Sequence, residues 1–270
     1  MMQIIAKAET SKLAVYEYRC QAGPSDRSVP EMHNEHSISY VRRGSFGYVA
    51  QGKPHELITG SLLIGRPGLE YSCTHEHHAG GDECLSFKFT PEGIEEIGAN
   101  DEAWEIGAAP PLPEIMVIGE LAQAVAEGSS TLAFDEVALM LAAIFVRNVR
   151  GTRSAAARIR PHHRRRAIDI ARWIEASSNQ AVDLDSMARA AGMGSFHLLR
   201  TFSRVLGLTP HQYLIRSRLR HAARLLTHDD SAVTQIAAMV GFGDLSNFVR
   251  TFHRAAGMSP QQFRRRSRAG

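Results

Sequence analysis

The 270-residue sequence predicts an α+β protein of several domains: an N-terminal antiparallel β-barrel with following helices, and a C-terminal all-α domain of two helix-turn-helix units. Three observations support this prediction. Short apolar or alternating runs separated by turn residues extend from Leu13 to about Phe89, as in small barrels and sandwiches. Helical periodicity replaces alternation from residue 115 onward. Finally, the C-terminal third contains a repeat with a period of fifty residues.

The first region predicts four short strands and then two helices. The strands are expected at 14–18, 38–41, 46–49 and 62–64, with turns at Arg43-Gly44, Gly52-Lys53-Pro54, Thr59-Gly60 and Pro67-Gly68. Helices are expected at 115–126 and 134–150. The second helix carries an apolar stripe, which predicts either packing against the barrel or a dimer interface; the stripe consists of Val137, Leu141, Ile144 and Phe145.

Charge is distributed unevenly along the chain. Residues 1–150 contain 11 Lys and Arg against 21 Asp and Glu, a net charge of −10, whereas residues 151–270 contain 20 against 7, a net charge of +13. All 20 basic residues of the second half are arginine, whose planar guanidinium group suits phosphates and guanine edges. A basic surface of this kind indicates a polyanionic partner for the second half.

The N-terminus and the cysteine content indicate the compartment. Charged side chains interrupt every apolar run in the first twenty residues, so neither a signal peptide nor a membrane span is expected there. The three cysteines form no Cys-x-x-Cys pair, which argues against a disulfide framework. The sequence therefore predicts a cytoplasmic protein without a membrane partner.

Three segments are expected: a domain over 1–150, a basic linker without apolar periodicity over 151–163, and a second domain over 164–270. Within the second domain, Asp183 is expected to cap a helix that stops at Gly192. A further helix is expected from Ser195 to Gly207. Thr209-Pro210 then opens a long helix that extends to about Thr227. Helix, short glycine turn and helix is the order of a helix-turn-helix.

A shift of fifty positions aligns the first unit with a second copy. The matches are Arg200-Thr201-Phe202 with Arg250-Thr251-Phe252, Arg204 with Arg254, Gly207 with Gly257, Thr209-Pro210 with Ser259-Pro260, and Tyr213 with Phe263. In the second copy Gly241 is expected to end the supporting helix, and Asp244 to cap the next helix.

The runs AAGMGSFHLLRTFSRVLGLTPHQYLIRSRL and IAAMVGFGDLSNFVRTFHRAAGMSPQQFRRR resemble the AraC/XylS family of bacterial transcription regulators. The resemblance covers residues 164–266 and both copies. It implies a regulator that is not an enzyme, with promoter DNA and RNA polymerase as partners and a homodimer as its assembly. It also implies two recognition helices in successive major grooves. Those grooves lie about 34 Å apart, and a joining helix of about 18 residues spans about 27 Å.

The resemblance also implies which side chains contact DNA. Arg200 and Arg250 are expected to contact guanine, while Phe196 and Leu199 are expected to contact thymine methyl groups or to pack onto a neighbouring helix. Phosphate contacts are the alternative for His197 and Arg204. The full predicted set comprises Phe196, His197, Leu199, Arg200, Arg204, Ser246, Asn247 and Arg250.

The N-terminal domain resembles the cupin-type ligand domain that precedes this module in the family, and GSLLIGRPG at 60–68 looks like its second strand-turn motif. Cupin metal sites use a His-x-His pair and a Glu seven residues before a glycine. When the sequence is aligned on Gly44, Ser37 occupies the Glu position and only His33 matches. The usual cupin metal centre is therefore not expected here.

A different group of metal-ligating residues lies in YSCTHEHHAGGDECLSF. If residues 72–77 are extended, Cys73, His75 and His77 share one face, and a glycine turn returns Asp82 or Cys84 to them. Thiolate and imidazole together favour zinc, copper or nickel. The candidate metal ligands are His33, His36, Cys73, His75, His77 and Cys84. Surface histidines, a core cysteine and a pocket for an organic effector are the alternatives.

Two other classes of protein compete with the regulator. A metal-dependent cupin-type enzyme requires a complete His/His/Glu set, which the sequence lacks. A DNA-repair protein with the same helix-turn-helix module requires a reactive cysteine cluster near the N-terminus, where Cys20 stands alone. The duplicated module favours a transcription regulator whose N-terminal domain senses a small molecule or a metal.

Overall fold

The computed structural model describes residues 2–78, 80–98, 101–130, 132–149 and 160–268. A β-rich region comes first. Its strands are β1 (Met2–Glu9), β2 (Leu13–Cys20), β3 (Pro30–Met32), β4 (His36–Ala50), β5 (Lys53–Ile58), β6 (Leu62–Gly65), β7 (Glu70–Thr74), β8 (Asp82–Phe89) and β9 (Ala108–Ala109). Each of the four predicted strand segments lies within β2, β4 or β6.

The long strand β4 joins two parts of the sheet. Its first half pairs with β8 and β6, and its second half pairs with β5 and β7. The sequence analysis predicted two strands here with a turn at Arg43-Gly44, and that prediction is wrong. The chain instead continues through a register shift between Val41 and Arg43, with Gly44 at φ +77°. Glycine adopts this positive φ without steric cost, so the strand bends where a turn was expected.

The predicted closed barrel is not found. The strands follow the order β1-β2-β8-β4-β6-β9, which leaves β1 and β9 at opposite edges of an open sheet among the described residues. Helix α2 (Pro113–Ala126) covers the apolar face of this sheet. A Cβ at Gly119 would lie 2.3 Å from Cζ of Tyr40, so glycine permits close contact between helix and strand. Because a helix buries the apolar face, the sheet does not need to close on itself.

In the part of the chain that the structure describes, three α-helices accompany the sheet: α1 (Pro91–Ile97), α2 and α3 (Phe134–Val149). A 3₁₀ turn lies at Asp101–Glu105 and carries the buried Trp104. The apolar stripe of α3 is buried within the chain, where Phe145 packs against Trp104 with ring centroids 5.2 Å apart. Of the two roles predicted for this stripe, packing within the region is the one observed.

The C-terminal region is helical throughout. Its helices are α4 (Pro161–Ser177), α5 (Leu184–Ala190), α6 (Ser195–Leu206), α7 (Pro210–His228), α8 (Val233–Met239), α9 (Leu245–Ala256) and α10 (Pro260–Arg268). Helix α4 begins at Pro161, so its first three residues lie in the segment predicted as linker. The other linker positions, apart from Arg160, lie outside the described residues. The predicted caps are present, since Asp183 accepts from the backbone N–H of Ser186 at 2.7 Å.

The two regions share buried apolar surface. One cluster of buried side chains includes Ile118 and Leu121 of α2 together with Leu219 and Ala222 of α7. Helix α2 packs along α7 and also contacts α9. The long helix of the second region therefore lies against the helix that covers the sheet.

Candidate nucleic-acid interface and ligand cluster

The first helix-turn-helix consists of α5 and α6. Leu198 and Phe202 of α6 are buried in the cluster that holds α4 and α5. This burial turns the opposite side of the helix toward solvent, where Phe196 is 78% exposed. An exposed phenyl ring at the start of a helix is available for a base-methyl contact.

The second helix-turn-helix consists of α8 and α9. Asp244 caps α9 by accepting from the backbone N–H groups of Ser246 at 3.1 Å and Asn247 at 2.9 Å. Phe248 and Phe252 are fully buried, as Leu198 and Phe202 are in the first unit. The exposed face of α9 therefore presents side chains at positions that correspond to those of α6.

Seven of the eight predicted DNA-contacting residues are exposed, and Leu199 is half-buried. Among the described residues, no acidic side chain lies within ion-pair distance of Arg200, Arg204 or Arg250. Other arginines of this region have such partners, such as Arg164 with Glu56 at 2.6 Å. The arginines on the two recognition faces thus keep their donors free for a partner outside the chain.

Helix α7 fixes the separation of the two units. Thr209 and Gln212 form a reciprocal capping box at its start, with Pro210 in the first turn. Its 19 residues extend about 28 Å at 1.5 Å per residue. That length is close to the spacing of about 34 Å between successive major grooves on one face of B-DNA.

Sequence reasoning missed a buried charge network that joins the two regions. Arg220 of α7 donates from Nε to Oε1 of Glu120 at 2.7 Å and from Nη2 to the carbonyl oxygen of Arg42 at 2.8 Å. It also pairs with Glu175 of α4. The hydroxyl of Tyr40 donates to Glu120, and burial raises the pKa of this tyrosine. The sequence contained one signal of this network, because Arg220 lies among the buried apolar residues of α7.

Two of the predicted metal ligands lie against aromatic rings. Nε2 of His33 is hydrogen-bonded to the hydroxyl of Tyr48 at 2.8 Å, and its ring stacks on Tyr71. Burial lowers the pKa of His33 to about 4. The ring of His36 packs edge-on against Trp104. Both histidines thus have aromatic surroundings within the sheet.

The predicted cysteines belong to the core. Cys84 is buried in an apolar cluster against which the half-buried Cys73 packs. Burial raises the pKa of Cys73 to about 12 and that of Cys84 well above its ordinary value. His77 is half-buried in the turn between β7 and β8. The structure therefore does not bring the six predicted ligands together.

Of the six, His75 does lie in a cluster of potential ligands. Among the described residues, a single group of three or more His, Cys or carboxylate ligand atoms falls within 4.8 Å, and it consists of Cys20, His75 and Asp82. The sequence analysis anticipated that Asp82 would return to His75. It treated Cys20 as isolated, because no second cysteine lies near it in the sequence; 55 residues separate it from His75.

The chain is similar to known helix-turn-helix transcription regulators. A family model described as "Helix-turn-helix domain" matches residues 187–266. The transcriptional activator RhaS of Klebsiella pneumoniae (strain 342) is 26% identical over 267 residues, which cover 92% of this chain and 91% of that protein. The probable transcription factor PqrA of Proteus vulgaris is 33% identical over 82 residues, which cover 30% of this chain and 67% of that protein.

A solved structure, that of a probable AraC family regulator from Rhodopseudomonas palustris CGA009, is 27% identical with a TM-score of 0.36. It covers 38% of this chain and 97% of that chain.

The helix-turn-helix is duplicated, and among the described residues the arginines on its two exposed faces have no acidic partner. These features define a sequence-specific DNA-binding protein. The chain belongs to the AraC/XylS family of transcription regulators. Among the described residues, no helix is both long and apolar enough to span a membrane.

Proposed function

We propose that α6 and α9 read two successive major grooves of promoter DNA. Arg200 and Arg250 contact guanine edges, and Phe196 and Leu199 contact thymine methyl groups. The observation that carries this proposal is the equivalence of the two helices: corresponding faces are exposed, and their arginines lack acidic partners among the described residues. His197 and Arg204 lie at the edge of the first face and position the helix on phosphates.

Footprinting of the full-length protein tests this arrangement. A binding site is first selected from genomic fragments, and methylation of guanine N7 is then measured with and without protein. We expect protection in two adjacent major grooves on one face of the duplex. Protection of one groove alone would show that one copy of the repeat does not read DNA.

The β-rich region controls the placement of these helices rather than covering them. Seven of the eight proposed DNA-contacting side chains stay exposed, and Leu199 stays half-buried, although α7 is packed against α2. Arg216 of α7 donates to the carbonyl oxygen of Pro111, and the hydroxyl of Tyr213 donates to that of Thr59 at 3.4 Å. A signal that shifts the β-rich region therefore shifts α7 and alters the spacing of two DNA-binding domains in a dimer. Such a population shift needs only differential affinity of the signal for the two states.

An organic effector has a suitable location at the junction of the regions. A cavity of about 260 Å³ lies between α2, α7 and α9, and its lining includes Glu114, Ile215, Arg216 and Arg254. A ligand there contacts the β-rich region and the second recognition helix together. A pocket for an organic effector was one of the alternatives left by the sequence. Among the described residues, the core of the sheet does not offer one at its centre, where buried side chains such as Val15, Tyr40 and Phe87 pack together.

The relative RhaS is a transcriptional activator, and this protein likewise acts as an activator. It contacts RNA polymerase and binds DNA as a homodimer. In vitro transcription from a footprinted promoter tests whether the protein activates. Sedimentation of the purified chain tests whether it is a homodimer. Reduced transcript would indicate repression, and a monomer at working concentration would exclude the homodimer.

A further inference from the structure

Three potential metal ligands meet at one end of the sheet, each supplied by a different element. Cys20 is the last residue of β2, and Asp82, the first residue of β8, lies opposite it in the antiparallel register. His75 directly follows β7. Nε2 of His75 lies 3.3 Å from Oδ2 of Asp82 and 3.8 Å from Sγ of Cys20. A single nitrogen thus faces both a carboxylate and a thiol.

These separations fit a tetrahedral zinc site. With Zn–N and Zn–O distances of about 2.1 Å and a Zn–S distance of about 2.3 Å, neighbouring N and O ligands lie about 3.4 Å apart, and N and S ligands about 3.6 Å apart. The observed distances of 3.3 and 3.8 Å are close to these values. Two of the three separations thus suit a single ion, and the third, between Sγ of Cys20 and the carboxylate of Asp82, is within 4.8 Å.

The backbone around the cluster requires glycine for this close approach. Gly81 has φ +72°, and a Cβ there would lie 2.4 Å from the carbonyl oxygen of Cys20. A Cβ at Gly44 would lie 2.1 Å from the carbonyl oxygen of Gly81. The two glycines thus allow β2, β4 and β8 to converge. His75 and Asp82 are each 8% exposed, and the half-buried Cys20 leaves a side open to solvent.

We propose that Cys20, His75 and Asp82 bind a divalent transition-metal ion of the zinc class, with water at the fourth position. A thiolate, an imidazole and a carboxylate together select zinc and its neighbours over magnesium or calcium. On binding, the thiol of Cys20 releases its proton to solvent and the sulfur coordinates the ion. This site shares only His75 with the set predicted from sequence.

The turn that carries His75 also reaches the DNA-binding region. His78 is hydrogen-bonded to Oγ of Ser45 at 2.9 Å and to Oε2 of Glu56 at 3.0 Å. Glu56 in turn accepts from Arg164 of α4 at 2.6 Å. Metal binding at His75 therefore acts three residues from His78, whose partner Glu56 contacts α4 through Arg164. This regulatory half of the inference rests on the proposed function, whereas the metal site itself does not.

Zinc titration of the chelator-treated full-length protein, in competition with a chromogenic chelator, tests the site without DNA. We expect one bound ion. Cys20→Ser and Asp82→Asn should each weaken binding more than about 100-fold, because loss of a residue that merely orients a ligand costs about 10–100-fold. The control variants Cys73→Ser and His77→Asn should keep the wild-type affinity. Absence of zinc binding by the wild-type chain, or unchanged affinity in Cys20→Ser, would overturn the proposal.

Cobalt supplies a measurement that does not depend on how the ligand variants fold. Co²⁺ added to wild-type protein should give visible bands of a tetrahedral site together with a near-ultraviolet thiolate-to-metal band. Cys73→Ser should retain the thiolate band, since Cys20 supplies it. Loss of that band in Cys73→Ser would show that Cys73 supplies the thiolate. The metal would then belong to the ligands predicted from sequence, and the proposed site would be overturned.

DNA affinity measured with and without zinc tests the regulatory half. We expect zinc to change the affinity by about fivefold or more, within the usual range of coupling between sites. Arg164→Ala should bind zinc normally but respond less. Equal DNA affinities in both conditions would overturn the coupling and leave the metal site intact. A chain that binds zinc and no promoter would contradict the proposed function alone.

Discussion

At the scale of single residues, arginine serves three purposes in the second half of this chain. Arg250 and Arg200 lie exposed on recognition faces, Arg220 is buried between two carboxylates, and Arg266 forms an exposed ion pair with Glu136. The net charge of +13 does not distinguish these purposes, because every arginine contributes one positive charge. Burial and the presence of a partner separate a DNA-reading arginine from a structural one.

Replacement of a reading arginine should alter specificity. Arg250→Ala should cost about 1–3 kcal/mol of binding free energy on the selected site and relax the preference at one base position, because a bidentate guanine contact is lost. Binding to a panel of single-base site variants measures this effect. The exposed Arg165 of α4 provides the control, since Arg165→Ala should weaken binding uniformly and lower the salt slope by about 1. Equal losses on specific and random DNA for Arg250→Ala would make it a phosphate contact.

At the scale of elements, local capping defines where the recognition helices begin. Asp244 is an N-cap whose carboxylate accepts two backbone N–H groups at the start of α9. Those groups belong to Ser246 and Asn247, two of the predicted contact residues. The cap therefore also holds the end of the helix that carries these predicted contact residues.

Removal of this cap should destabilise the second unit. Asp244→Ala should lower the free energy of unfolding by about 0.5–2 kcal/mol, because two N–H groups lose their acceptor. Asp244→Asn should keep the free energy of unfolding close to that of the wild type, since asparagine caps about as well as aspartate. Chemical denaturation of the three proteins measures the difference. If the alanine and asparagine variants are equally stable, the carboxylate does not act as a cap.

At the scale of the whole molecule, α2 joins the sheet to both helix-turn-helix units through α7 and α9. The buried carboxylate of Glu120 lies at the centre of this contact, with Arg220 from α7 and Tyr40 from β4. This interface connects the sheet to α7 and α9 through buried side chains.

Loss of the buried partner should weaken the whole chain. Glu120→Ala should lower the free energy of unfolding by about 3–5 kcal/mol, because the buried Arg220 loses an ion-pair partner. The matched control is Glu136→Ala, which breaks the exposed pair with Arg266 between α3 and α10 and should cost about 0.2–1 kcal/mol. Denaturant midpoints of both variants provide the comparison. Equal costs would show that the Glu120 network does not hold the regions together.

The sequence alone determined the features that depend on neighbouring residues. The caps at Asp183 and Asp244, the glycine stops and the apolar stripes all arise from hydrogen bonds and side chains a few positions apart. The repeat allowed both recognition faces to be predicted, because equivalent positions occur fifty residues apart. Segments of β2, β4 and β6 were predictable for the same local reason.

Tertiary structure decided how distant segments meet. The continuity of β4, the open sheet covered by α2, and the contact of Cys20 with His75 across 55 residues depend on packing between elements. The pair of Arg220 with Glu120 joins residues 100 positions apart. Local pattern contains no information on such pairings, because burial of shared apolar surface, rather than local hydrogen bonding, brings these side chains together.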